Sequence, residues 1–197
     1  MDKVNIKIPK TKSPIIDLIK NRWSARSFSE KKISMEEIMT LIEAGSWAFS
    51  ASNEQPWRVI IAIKGTSIFD VILECLSSGN KPWAKNSSAF IVSIAKTISD
   101  KENNPTNLWA EHDLGAFNAT MIIQATAIGI SAHPMGGFDL KKLKEALKLE
   151  DYLKPMAVIS LGYLDDPEKL PEPYKTRELT ARSRKPLSEI ILIKDDL

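Results

Sequence analysis

Ser50-Ala51-Ser52-Asn53-Glu54-Gln55-Pro56-Trp57-Arg58 is a run rich in hydroxyls and amides, set directly before the apolar stretch Val59-Ile60-Ile61-Ala62-Ile63. Upstream, Asn21-Arg22-Trp23-Ser24-Ala25-Arg26 puts two guanidinium groups around a serine at the end of a predicted helix. Hydroxyl and amide side chains both donate and accept, which suits a flat heterocycle with mixed polar edges. Paired arginines fork onto a phosphate through charge-assisted bonds. Read together, the two stretches point to a ligand with a phosphate at one end and a ring at the other.

Working outward, helix and strand patterns alternate. Residues 14–21 open on Pro14, a favoured first-turn residue, and place Ile15, Ile16, Leu18 and Ile19 at helical spacing. Ser34 and Glu37 form a capping-box pattern, and the apolar face that follows runs to Gly45. Residues 59–63, 89–95 and 156–163 read as buried strands, and 66–76 as a short helix. The loop at 99–107, with its Asp, Asn and Pro, is the most solvent-loving part of the chain. Asp139 caps a helix running to about 149.

The stretch 108–128 predicts a helix of about 30 Å, stopped by Gly129 at its C′ position. Apolar and small residues (Leu114, Phe117, Met121 and Ile122, with Ala116, Ala119, Ile123 and Ala127) lie nearly all round it. Several of its faces must therefore be covered. A second subunit is the expected cover; burial inside a monomer is the alternative. From Asp165 to Pro186 the chain carries four prolines, many charges and little periodicity, and Ile190-Ile191-Leu192-Ile193 reads as a strand at its end. An arm of this kind lies extended across something and docks on a partner.

Composition bounds the rest. The 197 residues suit one domain, and 27 basic against 25 acidic side chains give no electrostatic case for nucleic acid or a membrane surface. The single cysteine, Cys75, excludes an intramolecular disulfide and reads as a buried thiol in a reducing compartment. No signal-peptide pattern and no run of about 18 apolar residues is present, so the expected location is cytoplasmic.

Neither dinucleotide-binding nor phosphate-loop fingerprints occur, and no Cys/His/Asp cluster has metal-ligand spacing; His112 and His133 are the only histidines. With so few acid–base groups, a cofactor is expected to carry any reaction. Two further patches suit one: His133-Pro134-Met135-Gly136-Gly137-Phe138, where glycines let backbone N–H groups approach a ligand, and the basic cluster Arg182, Arg184 and Lys185.

In these motifs, taken jointly and in this order, the chain resembles the FMN-dependent nitroreductase family from about residue 14 to its C-terminus. Arg22-Trp23-Ser24-Ala25-Arg26-Ser27-Phe28 matches the family's Arg-x-Ser-x-Arg-x-Phe pattern. Phe49-Ser50-Ala51-Ser52-Asn53-Glu54-Gln55-Pro56-Trp57 matches Pro-Ser-x-x-Asn-x-Gln-Pro-Trp, with Phe49 in place of the usual proline. Pro134–Phe138 matches a glycine turn beside the flavin, and Arg182–Leu187 a C-terminal phosphate clamp.

The resemblance implies an α+β three-layer sandwich with a central, mostly antiparallel sheet, built as an intertwined homodimer. Residues 1–197 would form one FMN-binding domain, with 164–197 an arm docking on the partner subunit. It implies that Arg22, Ser24, Arg26, Arg182 and Arg184 hold the phosphate and ribityl chain, with Trp23 contributing partly through its backbone. Asn53, Gln55, Ser50 and Ser52 would face the ring's polar edge, and Pro134, Met135, Gly136 and Gly137 the N5 and O4 region. NADH or NADPH would be the donor and a small molecule the acceptor, with no catalytic side chain and no metal. Trp83, Trp109 and His112 are candidates for the acceptor pocket, Trp83 and Trp109 equally for core packing. A flavin-binding sensor or assembly protein without turnover is the rival expectation.

Overall fold

In the computed structural model, which describes residues 5–192, four strands form one antiparallel sheet. They are β1 (Trp57–Ile63), β2 (Ala89–Lys96), β3 (Ser131–Met135) and β4 (Leu153–Gly162), in spatial order β1-β2-β4-β3. Two long, apolar strands occupy the middle because both of their faces are covered. On one face Phe90, Val92 and Ile94 of β2 join Ala62, Met135 and Val158 beneath α3 (Ser67–Cys75), α4 (Lys81–Ala84) and α6 (Leu140–Ala146). On the other, Ala89, Ile91 and Ala95 join Ala132, Ile159 and Leu161 under α2 (Met35–Ser46) and α5 (Ala110–Ala127). This is the expected three-layer α+β sandwich, with every strand pair antiparallel.

Local chemistry sets the helix ends. Ser34 Oγ accepts from the Glu37 N–H at 3.1 Å and Glu37 returns a bond to the Ser34 N–H at 2.8 Å, so the capping box closes as expected. Gly129, at φ +78°, ends α5 with Ile130 N–H bonded to Ala125 O at 2.8 Å. The helix expected to reach about 149 stops at Ala146. Lys148 takes a left-handed conformation, and Leu149 N–H bonds back to Lys144 O at 3.0 Å, closing the same motif without a glycine.

Several expectations need correcting. The first helix, α1, spans only Asp17–Asn21; Pro14 lies before it, in a turn where Ile15 N–H bonds Ser13 O. The Pro134 stretch is not all turn. Ser131–Met135 forms the edge strand β3, where a missing N–H costs no ladder bond. The segment after Gly162 holds a 3₁₀ turn (Pro167–Lys169) and α7 (Tyr174–Leu179), whose Tyr174 enters the first core layer with Leu170. Leu170, Tyr174, Glu178 and Arg182 also contact other parts of their own chain. The strand expected at 190–193 is instead preceded by a short helix, α8 (Leu187–Ile190), with Ile191 and Leu192 irregular and exposed; Ile193 lies outside the described residues. Among the described residues no helix is long and apolar enough to cross a membrane.

Candidate functional site

The arginine motif leaves α1 as an irregular strap pinned at three points. Ala25, fully buried, gives its carbonyl to His133 Nδ1–H at 2.8 Å. Ser27 Oγ donates to Asp166 O at 2.9 Å. The N–H groups of Arg26 and Ser27 both donate to one carboxylate oxygen of Glu178, at 2.7 and 3.0 Å. Phe28 then bridges to Leu164 and tilts against Trp83.

Five cations gather at this strap, and they differ in what already holds them. Arg26 pairs with Glu178 at 3.8 Å and lies over the Trp83 ring. Arg182 spends its Nε and both Nη groups on the carbonyls of Lys7, Arg22 and Lys20. Lys7 Nζ donates to Arg177 O at 2.8 Å and Thr180 O at 2.6 Å, tying the chain's start to the end of α7. Arg22 stands apart. Its polar contact is Ser24 Oγ at 3.5 Å, and burial followed by the nearby Arg184 guanidinium lowers its pKa. Arg184 Nη1 donates to the carbonyl of Ser183 at 2.7 Å. Arg184 is near enough to add to the lowering of the Arg22 pKa, and two guanidinium groups that close, with no carboxylate partner among the described residues, suit an anion. Beside them a cavity of about 220 Å³ is lined by Lys7, Arg22, Trp23, Ser131 and Leu164.

His133 stacks on Trp83 with ring centroids 4.5 Å apart. Burial, partly offset by the bond to Ala25 and reinforced by Arg26 and Arg22, lowers its pKa to about 4. It is therefore neutral at ordinary pH, with its proton on Nδ1. Beyond it, Met135 turns into the core while Pro134 and Gly136 stay exposed. A Cβ on Gly136 would meet nothing within 4 Å; one on Gly137 would strike Ser77 Oγ at 2.8 Å and Asn80 Nδ2 at 2.9 Å. Gly136 borders open space and Gly137 serves packing.

The Ser50–Gln55 loop holds three of the six non-glycine residues with positive φ among the described residues. Ser52 (φ 51°), Asn53 (φ 55°) and Gln55 (φ 47°) all adopt left-handed conformations that side-chain-bearing residues avoid. The surroundings enforce this. Ala51 N–H donates to the buried Asp113 of α5 at 2.9 Å, Gln55 N–H to Ser50 Oγ at 3.1 Å, and Ser99 Oγ to Glu54 at 2.8 Å. Ser52, Asn53 and Gln55 consequently project outward over a cavity of about 590 Å³. Strain held at exposed polar residues is a mark of a binding loop.

The family resemblance is now testable against known proteins. The Nitroreductase family model matches residues 19–82 and 72–163. The chain belongs to the nitroreductase family. A protein of Archaeoglobus fulgidus assigned the name NADH dehydrogenase/NAD(P)H nitroreductase is 30% identical over 77% of this chain and 86% of its own. The FMN reductase (NADPH) of Bacillus subtilis is 26% identical over 75% of this chain and 65% of its own. A crystal structure described as an oxidoreductase containing FMN superposes with a TM-score of 0.89 at 30% identity, covering 95% of this chain and 96% of the other. The family match ends at residue 163, so Arg182 and Arg184 stand outside it.

In this nitroreductase-family chain, the strap residues Arg22, Trp23, Ser24 and Arg26 lie on one segment, with Arg182 bonded to it, Arg184 close to Arg22 and His133 bonded to Ala25. The loop carrying Ser50, Ser52, Asn53 and Gln55 lines a different cavity of the same chain. Of the acceptor-pocket candidates, Trp83 is fully buried between Phe28 and His133 and is core. Trp109 and His112 are exposed, and His112 packs near Phe49. Cys75 is buried, which pushes its thiol pKa up, as expected of a structural cysteine. Sequence reasoning missed Lys7, His133 as a pin, Asp113 and Glu178. For Asp113 a signal existed: an acidic residue on the apolar face of a helix needs a partner.

Proposed function

We propose that this protein is an NAD(P)H-dependent oxidoreductase that uses FMN and passes electron pairs, in a ping-pong cycle, to small acceptors such as nitroaromatics, quinones or flavins. The observation that carries the reading is Arg22, bonded to Ser24 and close to Arg184 with no carboxylate partner among the described residues, in a chain that also holds a strained amide loop. A phosphate fits the first and a flavin ring edge the second. When bound, FMN supplies hydride chemistry at its N5; the protein supplies place and charge.

Arg22, Ser24 and Arg184 hold the phosphate. Arg26 and Arg182, already engaged, brace the strap around it. Asn53 and Gln55, with Ser50 and Ser52, address the polar edge of the ring, and the Gly136 N–H the N5 side. The loop and Arg22 line separate cavities of one chain, which supports a homodimer whose sites join the loop of one subunit to the arginines of the other. Trp47, Phe49 and Leu108, 84%, 71% and 86% exposed, and the small outer face of α5 (Gly115, Ala116, Ala119) suit such an interface. The exposed Leu187 and Ile190 of α8 suit docking on the partner.

The test is a visible absorbance spectrum before and after anaerobic NADH or NADPH. Flavin bands that bleach with either cofactor support turnover and select the donor. Bands that persist with both favour a binding protein without turnover, and no flavin after incubation with FMN overturns the reading. Sedimentation as a folded monomer carrying flavin would overturn the shared site.

A further inference from the structure

Glu178 is 3% exposed, and the function proposed above gives it no role. One of its oxygens takes the two consecutive N–H groups of Arg26 and Ser27. Its other oxygen, Oε2, is buried without a hydrogen-bond partner and sits 3.8 Å from Arg26 Nη1. Successive backbone N–H groups converging on one point form an anion nest. Here the nest belongs to the phosphate motif, yet an internal carboxylate from α7 fills it.

The charges divide accordingly. Lys7 and Arg182 are held by backbone carbonyls, which leave their charge in place but fix their position. Among the described strap cations Arg26 is the one within salt-bridge distance of a carboxylate, Glu178, whose charge also acts on Lys7. The place of Arg26 over the Trp83 ring, 5.8 Å from the centroid, leaves it little freedom to reach elsewhere. Arg22 and Arg184 have no carboxylate partner among the described residues.

We propose that Glu178 is a positioning residue: it occupies the amide nest of the arginine motif and neutralises Arg26, so that phosphate is read by Arg22 and Arg184 alone. The inference rests on the FMN reading only for the identity of the phosphate bearer. Its core, an internal anion that sets the charge of an anion site, holds for any phosphate ligand.

Glu178→Gln keeps an oxygen to accept both N–H groups and removes the charge. The released Arg26 then adds to the field at the phosphate, and FMN affinity relative to riboflavin rises about three- to ten-fold. A residue that only shapes the fold would move both flavins together. The double variant Glu178→Gln with Arg26→Gln replaces the ion pair by a neutral pair and returns the ratio to within about two-fold of wild type.

The experiment measures dissociation constants for FMN, riboflavin and inorganic phosphate with wild type and both variants. A raised FMN-to-riboflavin preference in the single variant, reversed in the double, supports the proposal. An unchanged ratio in the single variant overturns it while leaving the FMN reading intact. Binding of neither flavin, with phosphate tightened in the single variant and restored in the double, supports the proposal and removes the FMN reading. Where the single variant does not fold, the neutral double variant decides: more than about ten-fold loss of phosphate or FMN affinity means Arg26 holds the phosphate itself, and overturns it.

Discussion

Asp113 of α5 accepts the backbone N–H of Ala51 at 2.9 Å while being 1% exposed, so a buried carboxyl group in the longest of the described helices fixes the start of the strained loop. Its second oxygen accepts from His112 Nδ1 at 2.9 Å. The loop is therefore held from beneath by a group that does not itself reach the surface.

Asp113→Ala should leave the Ala51 N–H without its acceptor and cost about 1–3 kcal/mol of stability. Flavin affinity should fall with it. His112→Ala, which removes only the exposed partner, should leave thermal stability nearly unchanged. Denaturant titration and flavin binding on both variants check this.

Left-handed backbone at Ser52 and Asn53 is strain that glycine would not feel. Ser52→Gly and Asn53→Gly should each change the stability of the flavin-free protein in the favourable direction or not at all, by up to about 1 kcal/mol. Both should weaken flavin binding, because each removes a polar side chain the loop presents. Tighter flavin binding by either would contradict the role given to the loop.

The two neighbouring glycines should part company. Gly136→Ala enters open space and should leave stability within about 0.5 kcal/mol, while crowding a ligand placed there. Gly137→Ala meets Ser77 and Asn80 and should cost about 1–3 kcal/mol. Thermal melts with and without FMN separate the two effects.

His133 sets a pH dependence. Its folded-state pKa of about 4 lies below the ordinary 6.5, so the unfolded chain takes up the proton first as pH falls. The stability it supports is complete above about pH 6.5 and is lost as pH drops toward 4, amounting to about 3 kcal/mol in all. Stability measured across that range should fall less steeply for His133→Gln than for wild type, from a lower starting value because the Trp83 stack is lost.

Much of the fold was readable because it is local. The Ser34–Glu37 box, the Gly129 stop and the three apolar strands at 57–63, 89–96 and 153–162 are each decided within a few residues. β3 escaped notice because Pro134 argues against a strand unless the strand is known to be an edge. α7 was hidden by prolines on either side and buries only Tyr174 and Glu178. The arginine motif and the polar loop were visible as motifs, yet which arginines are free to meet a ligand was not. That depends on Glu178, Lys7 and Arg182, charged residues in segments without periodicity, whose partners lie 150 or more positions away.

That separation bears on how the protein comes into being. Lys7 reaches Thr180 across 173 positions and Arg26 reaches Glu178 across 152, whereas the sheet and its two core layers are complete by Gly162 except for Leu170 and Tyr174. Contacts so distant in sequence form late because the loop they close is costly. During synthesis, a finished sheet can exist while its cofactor site does not. Residues 174–184 emerge after the sheet and complete the anion site, and premature termination near residue 170 should yield chains that collapse around the sheet yet bind no flavin.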